Sequence, residues 1–374
     1  MSGSGTSTQK AAVVLLPTHK KLATHEVVVH QKLAGKIATL LGCEFLGLYD
    51  SAIHKTPDLY FIPSDTLIGK LENSALNIKS ADDLFGGLIA EPFMATKAIS
   101  HPLLDDATAQ PKGWSRQIHE DAADSVLAGF TVFNEADALR AGELILASGP
   151  ARIKPVLATA GRGQIVATDQ AELKAAIAEQ NMEEVATWGL VIEEDLTDVI
   201  TLSVGQVQVA GITASYHGTQ CLTEDNNGET VYGGSTLWIV RGGYDALLEL
   251  ELEEPVRRAI TQAMHYEHAA LKYFPDFIAS RRNYDIAQGT NAQGKRRSGV
   301  LEQSWRIGGA SPAEVEAILA FAADPALQRI CASTHEIYGE TTIPADASVL
   351  YEGDDPDVGF ISKFTKVQPY ERQQ

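Results

Sequence analysis

Asn283-Tyr284-Asp285, then the turn residues Gly289-Thr-Asn-Ala-Gln-Gly294, then Val300-Leu301-Glu302-Gln303-Ser304-Trp305-Arg306, is the stretch on which the fold turns. Glycine and asparagine between two apolar runs are turn chemistry, so strands near 277–287 and 299–303 read as a hairpin. Carboxylates on adjacent antiparallel strands project to one face, which lets Asp285 and Glu302 share a hard cation. Magnesium suits that pair, because it takes a few carboxylates together with phosphate oxygens and water. Residues two apart in a strand share a face, so Glu302, Ser304 and Arg306 point together. An anion, a hydroxyl and a guanidinium on one face make a metal–phosphate surface. The plainer reading is a surface ladder of ion pairs, with Gly308-Gly309 beyond it as ordinary loop, and the hairpin alone does not choose between them.

Upstream lie two further constellations. Lys154 belongs to the strand-like run 152–157, and Thr159-Ala-Gly161-Arg162-Gly163-Gln164 follows it. A compact fixed cation beside glycines, whose backbone N–H groups can approach an oxyanion with no Cβ in the way, suits a triphosphate. A G-x-G turn between strands is also an ordinary hairpin, and neither the Rossmann nor the P-loop pattern is present. Val191-Ile192-Glu193-Glu194-Asp195-Leu196 is an apolar strand running into three acids. Such a run either ends in solvent or forms a hinge whose backbone meets an adenine edge while one carboxylate takes ribose hydroxyls.

Hydrophobic patterning places these pieces in order. A buried strand at 11–16, a helix from 26 to 41 ended by Gly42, and strands at 45–49 and 59–62 suggest a small α/β domain with a parallel sheet. Asn134 caps a helix to about Ala147, and Gly149-Pro150 marks a boundary. Strand, glycine turn, strand, helix and strand then fill 151–196. Antiparallel strands follow, with a hairpin signal at Asn227-Gly228, a helix over 254–273, and Ser311-Pro-Ala-Glu314 read as a capping box. The expected division is a disordered lead (1–10), an N-terminal α/β domain (11–95), a connecting segment and helix (96–150), a small subdomain (151–196) and a larger antiparallel domain with its tail (197–374).

Composition narrows the function. The chain has 374 residues, 44% of them hydrophobic and 21% charged, and its formal net charge of -19 argues against a sequence-independent nucleic-acid binder. Its apolar runs are too short to span a bilayer, and no signal-peptide pattern is visible, so a cytoplasmic location is expected. The cysteines Cys43, Cys221 and Cys331 show no metal spacing. The histidines, His101 and His217 among them, match no ligand set and read as core or surface residues.

Taken in order, these elements resemble the ATP-grasp superfamily from about Lys97 to Ser311. The whole chain further resembles a bacterial domain-of-unknown-function family, number 3182, through Ser-Val-Gly-Gln-Val, Tyr-Gly-Gly-Ser and Leu-Glu-Gln-Ser-Trp-Arg-Ile-Gly-Gly. The resemblance implies a mixed α/β and α+β fold: an N-terminal α/β domain, a small ATP-lid subdomain and a larger C-terminal antiparallel-sheet domain. It implies that Lys97, in Ala-Thr-Lys-Ala-Ile-Ser-His, and Lys154 bind ATP with the Gly161-Arg162-Gly163 loop. Glu193, Glu194, Asp195 and Leu196 form the adenine–ribose hinge, Asp285 and Glu302 hold Mg2+ (or Mn2+), and Arg306 holds the transferring phosphoryl group. Ser304 departs from the family pattern, standing where an asparagine usually completes the metal site, so one firmly held ion is expected.

The activity implied is that of a carboxylate–amine ligase, which activates a small-molecule or peptide carboxylate as an acylphosphate and releases ADP. A phosphotransferase and a non-catalytic nucleotide-binding regulatory protein are the rivals. Arg282, Tyr232, Gly233, Gly234, Ser235 and Arg241 are the candidate acceptor-side groups, Arg282 with Arg306 being the named catalytic candidates. Expected partners are small carboxylates and amines, with no nucleic acid and no membrane; a homodimer is left open.

Overall fold

The alternation of apolar residues near the start becomes a three-stranded parallel sheet, β1 (Ala12–Leu16), β2 (Glu44–Leu48) and β3 (Leu59–Pro63), in the order β2-β1-β3. The computed structural model describes residues 9–18, 22–69, 73–158 and 163–370. Between β1 and β2 runs α1 (Thr24–Leu41), whose buried Val29, Leu33 and Ile37 repeat at four-residue spacing and form one apolar stripe. Gly42 ends it in the left-handed conformation (φ 67°), its N–H returning to the carbonyl of Thr39, as a glycine stop does. The short strands β4 (Leu67–Ile68) and β5 (Gly87–Ile89) follow.

After a short helix α2 (Arg116–Asp121) comes the small lobe: β6 (Gly129–Val132), α3 (Glu135–Leu146), β7 (Ala151–Pro155), β8 (Ile165–Ala167), α4 (Gln170–Ala178), α5 (Met182–Trp188) and β9 (Leu190–Glu194). Its sheet has the order β6-β9-β7-β8 and is antiparallel throughout. Asn134, Asp169 and Asn181 accept backbone N–H groups at the starts of α3, α4 and α5. Two features differ from the sequence expectation. β6 and α3 come from the segment read as a connection, because Phe130 and Val132 pair with β9, and α5 was not foreseen, its seven residues being too few to show a period.

The large sheet takes in β10 (Leu196–Val209), β11 (Ile212–Glu224) and β12 (Thr230–Arg241). After α6 (Tyr244–Leu248), α7 (Glu254–Tyr273) and the short β13 (Ile278–Ala279), it continues with β14 (Arg281–Asn291) and β15 (Arg296–Ser304). Beyond α8 (Ser311–Ala323) it ends with β16 (Arg329–Tyr338), β17 (Ser348–Asp355) and β18 (Gly359–Gln368). The eight-stranded order is β15-β14-β10-β11-β12-β16-β18-β17, every pair antiparallel. β13 instead pairs with β5, which ties the first hundred residues to the large sheet. Helices cover both faces: α7 lies over β10, β14 and β15, and α8 over β11, β12, β16 and β18, with α1 packed beside α8. No helix among the described residues is long and apolar enough to cross a membrane.

The residues between 304 and 314 depart from the expected capping box. The N-cap of α8 is Ala310, without a side-chain cap, and Ser311 Oγ accepts the Gly308 N–H instead. Glu314 is fully buried and faces Arg281, whose Nε and Nη2 donate to its two oxygens at 2.9 and 2.8 Å. The third guanidinium nitrogen, Nη1, donates to the carbonyls of Ser304 (3.1 Å) and Arg306 (2.8 Å) and to Ser304 Oγ (3.1 Å). Tyr216 adds its hydroxyl to Glu314 at 2.6 Å. The capping reading failed because a glutamate three residues after a serine looks local, whereas a buried guanidinium 33 residues away is the stronger partner. Breaking a buried pair on one side strands the other charge, so Glu314→Gln should cost about 3–5 kcal/mol of unfolding free energy. Urea denaturation measures this, and a loss under about 1 kcal/mol would show that the pair is not a structural anchor.

Candidate active site

Asp285 and Glu302 stand directly opposite each other on β14 and β15, as the hairpin reading requires, and a bulge after Asp285 breaks the register there. Burial, with the charge of Glu302 next, pushes the Asp285 carboxyl up to about 7. Gln220 Nε2 donates to Asp285 Oδ1 at 2.7 Å. Burial acts on Glu302 in the same sense, but the Lys97 ammonium outweighs it and holds this carboxyl below its usual range. The Lys97 Nζ lies 2.7 Å from Glu302 Oε2, with Lys97 5% and Glu302 36% exposed, so the pair sits deep at the floor of an open cleft. Lys97 also donates to the Ala158 carbonyl at 3.2 Å, at the start of the glycine segment. Gln303, pointing to the other face, donates to the carbonyls of Met94 and Thr96 and so fixes the turn that carries Lys97.

The cleft has a volume of about 830 Å³. Leu16 to Thr18 and Asp65 to Ile68 line it from the N-terminal domain, Val156 to Ala158 and Trp188 from the small lobe, and Glu302 to Ser304 and Arg306 from the large sheet. Arg306 approaches Asp65 at 3.6 Å. Ser304 reaches the same cleft, but its hydroxyl already accepts the Arg281 N–H, which reduces what it can offer a cation. Among the described residues no group of three His, Cys, Asp or Glu side chains gathers as a metal cluster. The donor set is two facing carboxylates in reach of a cleft open to solvent, which fits magnesium, an ion content with one or two carboxylates plus water and phosphate oxygens.

Lys154 lies behind this floor, 2% exposed, donating to Glu193 Oε1 at 2.9 Å and to the Leu301 carbonyl at 3.5 Å. The other Glu193 oxygen meets His101 Nε2 at 2.8 Å. Burial alone would raise the Glu193 carboxyl, but the charge of Lys154 and the His101 contact hold it at about 2. Gly129 makes room for this triad: a Cβ there would lie 2.8 Å from the Glu193 Cβ and 2.9 Å from the His101 ring. His101 is thus a core histidine with a charged partner, which its lone position in the sequence did not reveal.

Several sequence candidates lie elsewhere. Arg282 is on the opposite sheet face from Asp285, since successive residues of a strand alternate. Its Nε is 3.0 Å from Glu267 Oε2 on α7, and its Nη1 donates to the Ala279 carbonyl. Arg241 is held by the carbonyls of Leu327 and Asp324 near the end of α8. Glu194 accepts from Arg297 Nε (2.7 Å) and the Ala128 N–H, Asp195 accepts from Arg152 Nε (2.8 Å), and Leu196 is buried. Those two carboxylates already have cationic partners. Gly161 and Arg162 fall outside the described residues; Gly163 adopts a positive φ of 67°. Tyr232 and Ser235 are bonded to each other at 2.6 Å on the Asp285 face.

The sequence matches DUF3182, described as a protein of unknown function, over residues 13–365. The chain belongs to the DUF3182 family. No curated protein matches it by sequence. Among solved structures, the biotin carboxylase domain of 2-oxoglutarate carboxylase from Hydrogenobacter thermophilus is similar over 96% of this chain and 86% of its own, at 12% identity and a TM-score of 0.50. That domain is a dimer in complex with MgADP, ADP and bicarbonate. Phosphoribosylamine–glycine ligase from Thermotoga maritima matches over 97% of this chain and 93% of its own (12% identity, TM-score 0.48). D-alanyl-alanine synthetase A from Vibrio cholerae matches over 85% and 98% (11% identity, TM-score 0.43). The DUF3182 chain has the ATP-grasp fold: a mixed α/β structure with a large antiparallel-sheet domain.

The depressed Glu193 carboxyl has a pH signature in this DUF3182 protein. Its pKa is about 2 in the fold, against 4.5 for an unperturbed glutamate. The stabilisation is therefore complete above about 4.5 and is lost as the pH falls toward 2. Between about pH 6 and about pH 3 the parent should lose about 2 kcal/mol more than Glu193→Gln, which has no such proton to take up. Urea midpoints across that range decide it; parallel curves would mean that Glu193 is not held by Lys154.

Proposed function

We propose that this chain is a Mg-ATP-dependent, ADP-forming ligase that joins a small-molecule or peptide carboxylate to an amine. The observation that carries this reading is the convergence of Lys97, Glu302 and Arg306 on one cleft, with Asp285 opposite Glu302 and Lys154 just behind. The ATP-grasp fold supports it, as does the MgADP held by the similar biotin carboxylase domain.

Each residue has a task under this reading. The apolar wall of Leu67, Ile68, Val156, Leu157 and Trp188 suits a nucleobase. Lys97 and Lys154 offset charge on the α- and β-phosphates, and Arg306 holds the transferring group. Asp285 and Glu302 would hold a magnesium ion, which lowers the charge repulsion felt by an attacking carboxylate. The substrate carboxylate attacks the γ-phosphorus, the bond to the β,γ-bridging oxygen breaks, and ADP leaves.

Lys97 and Glu302 are paired with each other, so loading the cleft exchanges one set of partners for another. Lys97 would turn from carboxylate to phosphate, and Glu302 would be freed to hold the metal ion. Purified protein with Mg-ATP should release ADP when offered the right member of pools of carboxylic acids and amines. Glu302→Gln should lower that turnover by at least about 100-fold, and Lys154→Ala should weaken ATP binding about tenfold or more. If both variants bind ATP as tightly as the parent does, by calorimetry, the assignment of the cleft is wrong.

A further inference from the structure

Gln220 reaches Asp285 from a strand that is not its neighbour. In the sheet order β14-β10-β11, β10 lies between them, and the Gln220 amide passes over it to donate from Nε2 to Asp285 Oδ1 at 2.7 Å. The residue of β10 that stands directly opposite Asp285 is Ser203, whose small side chain leaves the crossing open. Ser203 is itself engaged by Asn283, whose amide donates to its hydroxyl at 2.6 Å and to the Tyr216 hydroxyl at 3.2 Å, and Tyr216 donates to Glu314. Asn283 is thus tied into the Arg281–Glu314 anchor, while Asp285, two residues along on the same face, is held by Gln220. Among the described residues this is the only hydrogen bond to the Asp285 side chain.

The surroundings of Gln220 are built with care. On β12 it faces Ser235, the last residue of the Tyr232-Gly-Gly-Ser235 stretch. The pairing of β11 with β12 slips between Cys221 and Leu222, so Gly233 has no residue opposite it. Across this bulge Tyr232 and Ser235 bond hydroxyl to hydroxyl at 2.6 Å. Position 234 requires glycine: its φ is 137°, and a Cβ there would fall 2.1 Å from the Thr334 carbonyl of β16. The Tyr232 ring lies against Gly309, where a Cβ would come 2.6 Å from it, in the loop that follows Arg306. Tyr232 therefore joins the two glycine pairs that stand out in the sequence, Gly233-Gly234 and Gly308-Gly309, and the ATP chemistry above gives that junction no task.

We propose that Gln220 is the positioning residue of the metal site: it fixes the rotation of the Asp285 carboxylate by holding Oδ1, and so leaves Oδ2 for a divalent cation shared with Glu302. The proposal rests on the assignment of these two carboxylates to magnesium. A neutral amide suits this duty better than a charged side chain, because it donates to one oxygen without cancelling the charge that attracts the ion. A methionine in its place keeps the length but cannot donate, so the ion would have to order a carboxylate that now turns freely. A lysine would pair with Asp285 as Lys97 pairs with Glu302, leaving two carboxylates matched by two ammonium groups and no net charge for a cation. Both substitutes have room, since Gln220 also borders a groove of about 670 Å³ together with Thr219 and Leu222.

The test needs no substrate and no turnover. Mn2+ alone is titrated into the full chain and followed by the EPR signal of the free ion, and ATP affinity is measured separately by calorimetry in EDTA. The parent should bind Mn2+, and Glu302→Gln should lose it. Gln220→Met should weaken the ion about 10- to 100-fold, and Gln220→Lys at least as much. Gln220→Met should keep the metal-free ATP affinity within about twofold of the parent, which a merely structural role would not allow, since a distorted cleft loses nucleotide and ion together. Parent-like Mn2+ affinity in either Gln220 variant, or an equal loss of metal-free ATP affinity in Gln220→Met, overturns the proposal; the metal assignment stands in that case if Glu302→Gln has lost the ion. If the parent takes up no Mn2+ at millimolar concentration, or Glu302→Gln binds it as the parent does, the two carboxylates are not a metal site and the proposal falls with that assignment.

Discussion

The geometry of the cleft depends on one buried pair, Arg281 with Glu314. A guanidinium has donors in a fixed fork, and here each side of the fork has a separate structural duty. Nε and Nη2 grip Glu314 and so seat α8 against the sheet. Nη1 gathers the Ser304 and Arg306 carbonyls, just where the backbone leaves β15. The direction in which Glu302, Ser304 and Arg306 project follows from that hold. Lysine would fail here, since a single ammonium cannot span the helix and the departing strand at once.

A second constraint is the way cations are stored against carboxylates. Lys97 rests on Glu302 and Lys154 on Glu193, both lysines being almost wholly buried. The two pairs differ in what surrounds them. Glu193 is enclosed on its other side by His101, and its carboxyl is held at about 2, so it stays charged opposite Lys154. Glu302 keeps a third of its surface open to the cleft and faces a second carboxyl, Asp285, which burial and the Glu302 charge raise above the usual carboxylate range. Two carboxyl groups crowded together with one ammonium, paired to Glu302, are short of positive charge, which is the electrostatic condition that favours a divalent ion.

Much of this was legible in the sequence, and the limits of legibility have physical causes. Asp285 opposite Glu302 followed from strand alternation and turn chemistry alone, because both are local rules with a period of two. The same alternation, applied one residue earlier, separates Arg281 from Arg282. Sequence alone does not reveal which of the two serves the cleft, since which face is the cleft and which is the α7 core depends on packing across many strands. The partners of Glu194 and Asp195 were hidden for a related reason: Arg297 and Arg152 lie on other strands, and a run of acids says nothing of which cation will reach it. His101 and Glu314 are the extreme cases, each meaningful only through a residue dozens of positions away. Of the small lobe, the caps at Asn134 and Asp169 were readable, whereas the joining of β6 to β9 was not, because no local signal encodes a strand partner.

A polar row from Gln220 to Lys363 shows how far pairing can be carried once the register is known. Four strands that are distant in sequence contribute residues at neighbouring levels of the same face, and none stands out in its own strand. Hydrophobic faces of sheets need no such alignment, since apolar contact is non-directional. A polar row does need it, because every buried donor and acceptor must find a partner within a few ångströms. Gln220 and Ser235 have theirs in the protein, at Asp285 and Tyr232. Thr334 does not, and it lies between the satisfied part of the row and the Glu336–Lys363 pair. Register thus decides which polar side chains of a sheet can meet, and no single strand carries that information in its own sequence.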